Sequence, residues 1–122
     1  MIGYVTLGTN DLPRAAAFYD ALLAEIGAKR LWDFGRGIAW GVAQDKPSLG
    51  IMKPFDGKPA TVGNGSMSGF SFDTQEEVSA FHAKAIELGG TTDGDPGERA
   101  PGVYFAYFRD LDGNKFCAFK FG

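Results

Sequence analysis

The chain has one cysteine and one histidine in 122 residues. A lone cysteine excludes an intrachain disulfide, which fits a reducing compartment such as the cytoplasm. A lone histidine, His82, excludes any Ser-His-Asp triad that is not built on it. No apolar run approaches the roughly 20 residues of a membrane-spanning helix. The N-terminus lacks a basic region followed by an apolar stretch, so no signal peptide is expected. Cations are also scarce: 12 Lys and Arg stand against 15 Asp and Glu, a net charge of -3. That balance argues against nucleic acid or an anionic membrane surface as a partner.

What the chain does have is aromatic and flexible. It carries 11 Phe and 18 Gly, with 44% hydrophobic and 22% charged residues. The overall proportions are those of an ordinary globular domain. A chain of this length hides roughly two thirds of its unfolded surface, enough for a core without staples.

The stretch from Tyr104 to Phe121 organises the reading. Two aromatic-rich runs flank a polar turn centred on Asp112 and Gly113, a strong hairpin signal. In the second run Phe116, Ala118 and Lys120 face one way, and Cys117, Phe119 and Phe121 the other. A strand apolar on both faces needs a cover on one side and a cavity or second cover on the other.

Upstream, Tyr4 to Leu7 reads as a strand. Asn10 or Asp11 caps a helix with Pro13 in its first turn and Phe18, Tyr19, Leu22, Leu23 and Ile26 on one face, stopped by Gly27. Strands follow at Arg30 to Phe34, Ile38 to Val42 and Leu49 to Lys53. Residues 54–65 read as a connector. The plan then repeats: a strand from Met67 to Phe72, a capping box from Thr74 to Glu77, and a helix with Val78, Phe81, Ala85 and Leu88 on its apolar face. Gly89-Gly90 ends that helix, Gly94 to Gly102 reads as an irregular loop, and the hairpin closes the chain. Phe18 answers Phe81 and Gly27 answers Gly90 at one constant shift, and strand, helix and three strands occur twice.

These residues resemble the vicinal oxygen chelate superfamily, which includes glyoxalase I, bleomycin-resistance proteins and extradiol dioxygenases. Tyr4 to Tyr19 is similar to the family's first strand and helix, Asn64 to Phe70 to its central strand, and Arg109 to Lys115 to its Asp-Pro-Asp-Gly-Asn turn. The likeness covers nearly the whole chain. It implies an α+β fold of two βαβββ modules, residues 1–53 and 66–122, whose curved, mostly antiparallel sheets surround a cleft. It also suggests a homodimer. The cleft is expected to be lined by Tyr4, Thr6, Trp40, Met67, Gly69, Tyr107, Cys117 and Phe119.

The family commonly holds a divalent metal with His, His and Glu. This chain has Tyr4, Met67 and Cys117 at the matching positions. Met is a poor ligand for a hard ion and Tyr is protonated near neutrality, so no metal cofactor is expected. Two functions stay open. One is metal-free binding of a small apolar or aromatic molecule, which needs only a shaped aromatic cleft. The other is a lyase or dioxygenase of the glyoxalase type, with or without metal.

Other signals have simpler readings. His82 beside Phe81 reads as a surface or packing histidine, and Cys117 as a space-filling buried thiol. Asp110, Asp112 and Asn114 hint at a calcium loop, but an EF-hand needs glycine sixth and glutamate twelfth, and counted from Asp110 the twelfth residue is Phe121. Trp32, Trp40, Tyr104, Phe105 and Tyr107 can line a flat pocket or fill a core. Arg36 or Arg99 can hold a substrate anion, although on such turns a solvated arginine is more common.

Overall fold

The structure, a computed structural model, describes residues 1–122. Its elements are β1 (Tyr4–Gly8), α1 (Leu12–Ala24), β2 (Lys29–Asp33), β3 (Gly37–Gly41), β4 (Ser48–Met52), β5 (Ser68–Ser71), α2 (Gln75–Glu87), β6 (Thr91–Ala100), β7 (Val103–Arg109) and β8 (Lys115–Phe121). The chain divides into two compact units, Met1–Thr61 and Val62–Gly122. Each holds one helix and one open four-stranded sheet, in the orders β1-β4-β3-β2 and β5-β8-β7-β6. Each sheet is mixed: β1/β4 and β5/β8 are parallel, and the remaining neighbours are antiparallel. The class is α+β.

In the first unit α1 buries Phe18, Tyr19, Leu22 and Leu23. They cover Ile38, Trp40 and Ile51, which alternation turns to the same side of the sheet. Tyr19 and Trp40 meet with ring centroids 5.5 Å apart. The Trp40 indole N–H would be costly to bury alone. It donates to Asp20 Oδ1 at 2.9 Å, and Asp20 also receives Arg30 from β2 at 2.9 and 2.8 Å. Asp11 is the cap of α1, its Oδ1 accepting from the Arg14 N–H at 3.1 Å.

In the second unit Phe81 of α2 reaches β5, the residue that follows it, and β7. Its ring lies 5.0 Å from Phe70, 5.1 Å from Phe72 and 6.0 Å from Phe108. Phe116 closes the cluster against Phe70 and Phe108 at 5.5 and 5.4 Å. Phe81, Phe108 and Phe116 are fully buried, each contributing about 1.5–3 kcal/mol by leaving water.

The turn between β7 and β8 is built on one carboxylate. Asp110 Oδ1 accepts from the Asp112 and Asn114 N–H groups at 3.0 and 2.8 Å, and its Oδ2 accepts from the Asn114 amide at 2.9 Å. Gly113 takes φ +90, which strains a residue with a Cβ. Asp110 and Asn114 are both buried, so the side chains that suggested calcium serve the backbone instead.

The irregular loop expected at Gly94 to Gly102 is not one. Residues 94–100 belong to β6, paired antiparallel to β7 from Thr91↔Arg109 to Ala100↔Val103, with register shifts at Thr92/Gly94, Gly94/Gly97 and Glu98/Ala100; only Pro101 and Gly102 form a turn. The shifts are irregularities that hide alternation in the sequence, and they let an edge strand carry Pro96.

Helix α2 starts with the full capping box: Thr74 Oγ1 accepts from the Glu77 N–H, and Glu77 Oε1 accepts from the Thr74 N–H, each at 3.1 Å. Thr74→Ala should lower the free energy of unfolding by about 1 kcal/mol. Urea titration checks this, and an unchanged midpoint would place the cap elsewhere.

Candidate functional site

Because α2 covers the even-numbered side of β7 and β8, the odd-numbered side chains are left on the other face. There the register pairs Phe105 with Phe119 and Tyr107 with Cys117, and Gly69 of β5 with Cys117. Phe105 stacks on Tyr107 and Phe119, with centroids 5.7 and 5.3 Å away, and Phe121 packs against Phe105 and Phe119 at 5.6 and 5.2 Å. Phe105, Tyr107 and Phe119 are half-buried, and Phe121 is exposed. Gly69 is small for a reason of space: a Cβ there would sit 3.0 Å from both Cys117 Sγ and Phe119. The result is a flat aromatic layer with a thiol at its edge.

Cations flank that layer. The Tyr107 ring has the Arg99 guanidinium 5.6 Å and the Lys115 ammonium 5.2 Å from its centroid. Arg99 is held by its bond to the Asp95 carbonyl at 2.8 Å. Lys115 and Arg109 both reach Asp93, at 3.1 and 3.3 Å. The Lys115 hydrogen bond is the first cause that holds the Asp93 carboxyl below its ordinary range, and Arg109 adds to it. The sequence reading missed this group because Asp93 lay next to an expected loop. Opposite charges on Thr91–Ala100 and at both ends of the hairpin were its only visible trace.

The expected site residues are distributed unevenly. Gly69, Tyr107, Cys117 and Phe119 come together on this face of the second sheet. Met67 is half exposed and precedes β5, which begins at Ser68. Tyr4 and Thr6 belong to β1 in the first unit and are exposed; Tyr4 is 71% exposed. Trp40 is 1% exposed and lies under α1, on the helix side of its sheet. Alternation along Ile38, Ala39 and Trp40 sends its ring there, and Asp20 fixes it.

Cys117 is 2% exposed, and burial pushes its thiol above the ordinary value, with Lys115 opposing. A protonated, buried thiol is a poor nucleophile. His82 belongs to α2 and is buried, its ring 6.4 Å from Phe108 and its Nε2 3.0 Å from Thr92 Oγ1. Burial lowers its pKa below the ordinary 6.5, opposed by a hydrogen bond to the Tyr107 backbone and by Asp95.

The glyoxalase/bleomycin resistance protein/dioxygenase superfamily profile matches residues 1–118. The chain belongs to that superfamily. It is 42% identical to a glyoxalase/bleomycin resistance protein from Albidiferax ferrireducens T118, with 98% of this chain and 97% of that one covered and a TM-score of 0.88. It shares its fold with a genomically encoded fosfomycin resistance protein from Listeria monocytogenes, at 19% identity, coverage of 98% and 91%, and a TM-score of 0.75. The same holds for a lactoylglutathione lyase from Agrobacterium tumefaciens, at 20% identity, coverage of 98% and 92%, and a TM-score of 0.69. No curated protein matches the chain. No helix is long and apolar enough to cross a membrane.

Two measurements check the protonation states. Native Cys117 should react with iodoacetamide at pH 7.5 at least about tenfold more slowly than the unfolded chain, because it is both shielded and protonated; equal rates would contradict its burial. For His82, the unfolded chain takes up a proton first as pH falls through 6.5, so the stability given by the neutral ring is complete above 6.5 and is lost below it. The stability gap between the unaltered protein and His82→Gln should therefore narrow between about pH 8 and about pH 5. A gap that stays constant by urea unfolding would contradict the lowered pKa.

Proposed function

We propose that this superfamily member binds a small apolar or aromatic molecule against the aromatic face of its second sheet, without a divalent metal. The observation that carries this reading is the layer of Phe105, Tyr107, Phe119 and Phe121, which leaves ring surface available for stacking. Arg99 and Lys115 beside Tyr107 add a positive rim that suits electron-rich rings.

The donor set at the family's metal positions supports the metal-free reading. It consists of a phenol, a thioether and a thiol that burial keeps protonated. None is a good ligand for a hard divalent ion. No three His, Cys, Asp or Glu side chains gather in an arrangement that could hold a metal. The same reading takes the protein as a cytoplasmic homodimer with no nucleic-acid or membrane partner.

The test joins metal analysis to a ligand screen. Protein purified without tag or chelator should carry far less than one metal ion per chain. Aromatic compounds should raise its melting midpoint equally with and without Ni²⁺, Zn²⁺, Mn²⁺ or Fe²⁺. Phe105→Ala should weaken the best of them by about 0.5–1.5 kcal/mol, the value of one aromatic contact. About one metal ion per chain, lost on Cys117→Ser or Tyr4→Phe, would return the chain to the metal-dependent lyases and dioxygenases.

A further inference from the structure

The loop after β4 builds a separate hollow of about 460 Å³, wholly within the first unit. None of the eight residues expected to line the ligand site takes part in it. Its lining includes Arg36, Lys53 and Lys58 but no carboxylate. In a chain of net charge -3, that is a local excess of positive charge. None of the three forms an ion pair; Asp56, which shares an adjoining hollow with Arg36, accepts from the Lys58 backbone N–H at 2.9 Å.

The loop is held in place. Asn10 grips Ala60 from both sides, accepting from its N–H at 2.7 Å and donating to its carbonyl at 3.2 Å. The Lys53 N–H donates to the Arg36 carbonyl at 2.9 Å, and the Gly57 N–H to the Pro54 carbonyl at 3.1 Å. Arg36 is anchored by one Nη1–H to the Lys53 carbonyl at 2.7 Å, with its guanidinium over the Phe55 ring at 5.4 Å. An anchored guanidinium with donors to spare is suited to a planar carboxylate. Phe55 itself is 92% exposed, a large ring left in water between Pro54 and Pro59.

We propose that this hollow binds a small organic anion with a flat apolar body, in the simplest case an aromatic carboxylate. The carboxylate lies between Arg36, Lys53 and Lys58, and the ring packs on Phe55 and the two prolines. Burying the exposed Phe55 ring supplies the apolar part of the affinity, and the unpaired cations supply the charge selectivity. The site is independent of the aromatic face of the second sheet.

NMR titration of the full chain with benzoate, benzamide and inorganic phosphate tests the proposal. Benzoate should shift the amides of Asn10, Arg36 and residues 53–60 saturably, with a dissociation constant of about 1 mM, as expected for exposed charges. Benzamide and phosphate should each bind several-fold more weakly, and added salt should weaken benzoate. Arg36→Gln and Lys58→Gln should each reduce benzoate affinity by about threefold. Phe55→Ala should reduce the preference for benzoate over phosphate. Lys58 has no structural bond through its side chain, so Lys58→Gln remains informative if Arg36→Gln fails to fold. The proposal is overturned if benzamide matches benzoate, if the shifts fall only on β7 and β8, if no shift saturates, or if Lys58→Gln leaves the response unchanged.

Discussion

The second unit depends on Phe81. One ring on α2 touches Phe70 and Phe72 on one side and Phe108 on the other, so the helix cannot slide without leaving three aromatic contacts. Fixing which face of the sheet the helix covers also fixes which residues it does not cover. With Ala106, Phe108, Phe116 and Ala118 committed to the helix, the side-chain period of two leaves Phe105, Tyr107, Cys117 and Phe119 opposite. A slip of one residue would exchange the core for the uncovered aromatic layer. The helix-covered core and the uncovered aromatic face are thus two consequences of one register.

The first unit solves the same problem with a polar anchor. Trp40 fills the space beneath α1, and its indole N–H must be satisfied there. Asp20 supplies the acceptor, and Arg30 keeps that carboxylate ionised; the Arg30 hydrogen bond is the first cause of its lowered pKa. The pair is nearly half exposed, so its direct electrostatic value is small. Its larger role is to make burial of a tryptophan affordable. A neighbouring constraint acts on the loop: Asn10 is freed from capping by Asp11 and instead holds Ala60, which lies so close to Gly8 that a Cβ there would come within 2.8 Å.

Electrostatics divides the surface into different chemistries. On the second sheet, Asp93 pairs with both Lys115 and Arg109 while Lys115 and Arg99 lean on Tyr107, so the positive charge edging the aromatic layer is only partly offset. Around the loop after β4, Arg36, Lys53 and Lys58 have no such balance. The first arrangement suits an uncharged ring, and the second an anion. The thiol of Cys117 is buried and held protonated, and His82, on α2, is buried against Thr92.

The sequence by itself determined the fold class and most elements, because each was encoded locally. Capping at Thr74, the helical spacing of Phe18 to Leu23 and of Val78 to Ala85, and the turn at Gly113 each rest on neighbours in the chain, whereas the choice of Asp11 over Asn10 as the cap of α1 was left to the structure. Alternation also predicted which face of β8 would carry Cys117 and Phe119. What sequence could not give was information carried by partners far along the chain. Strand β6 exists because β7 offers a ladder to a segment whose own pattern is broken by Gly94, Pro96 and Gly97. The side taken by Trp40 was decided by a helix and by Asp20, twenty residues away. The grouping of Arg36 with Lys53 and Lys58 was decided by a clamp between Asn10 and Ala60, fifty residues apart. Local propensity is written in adjacent residues, whereas the face a ring takes and the charges it meets are settled only when distant segments compete for the same space.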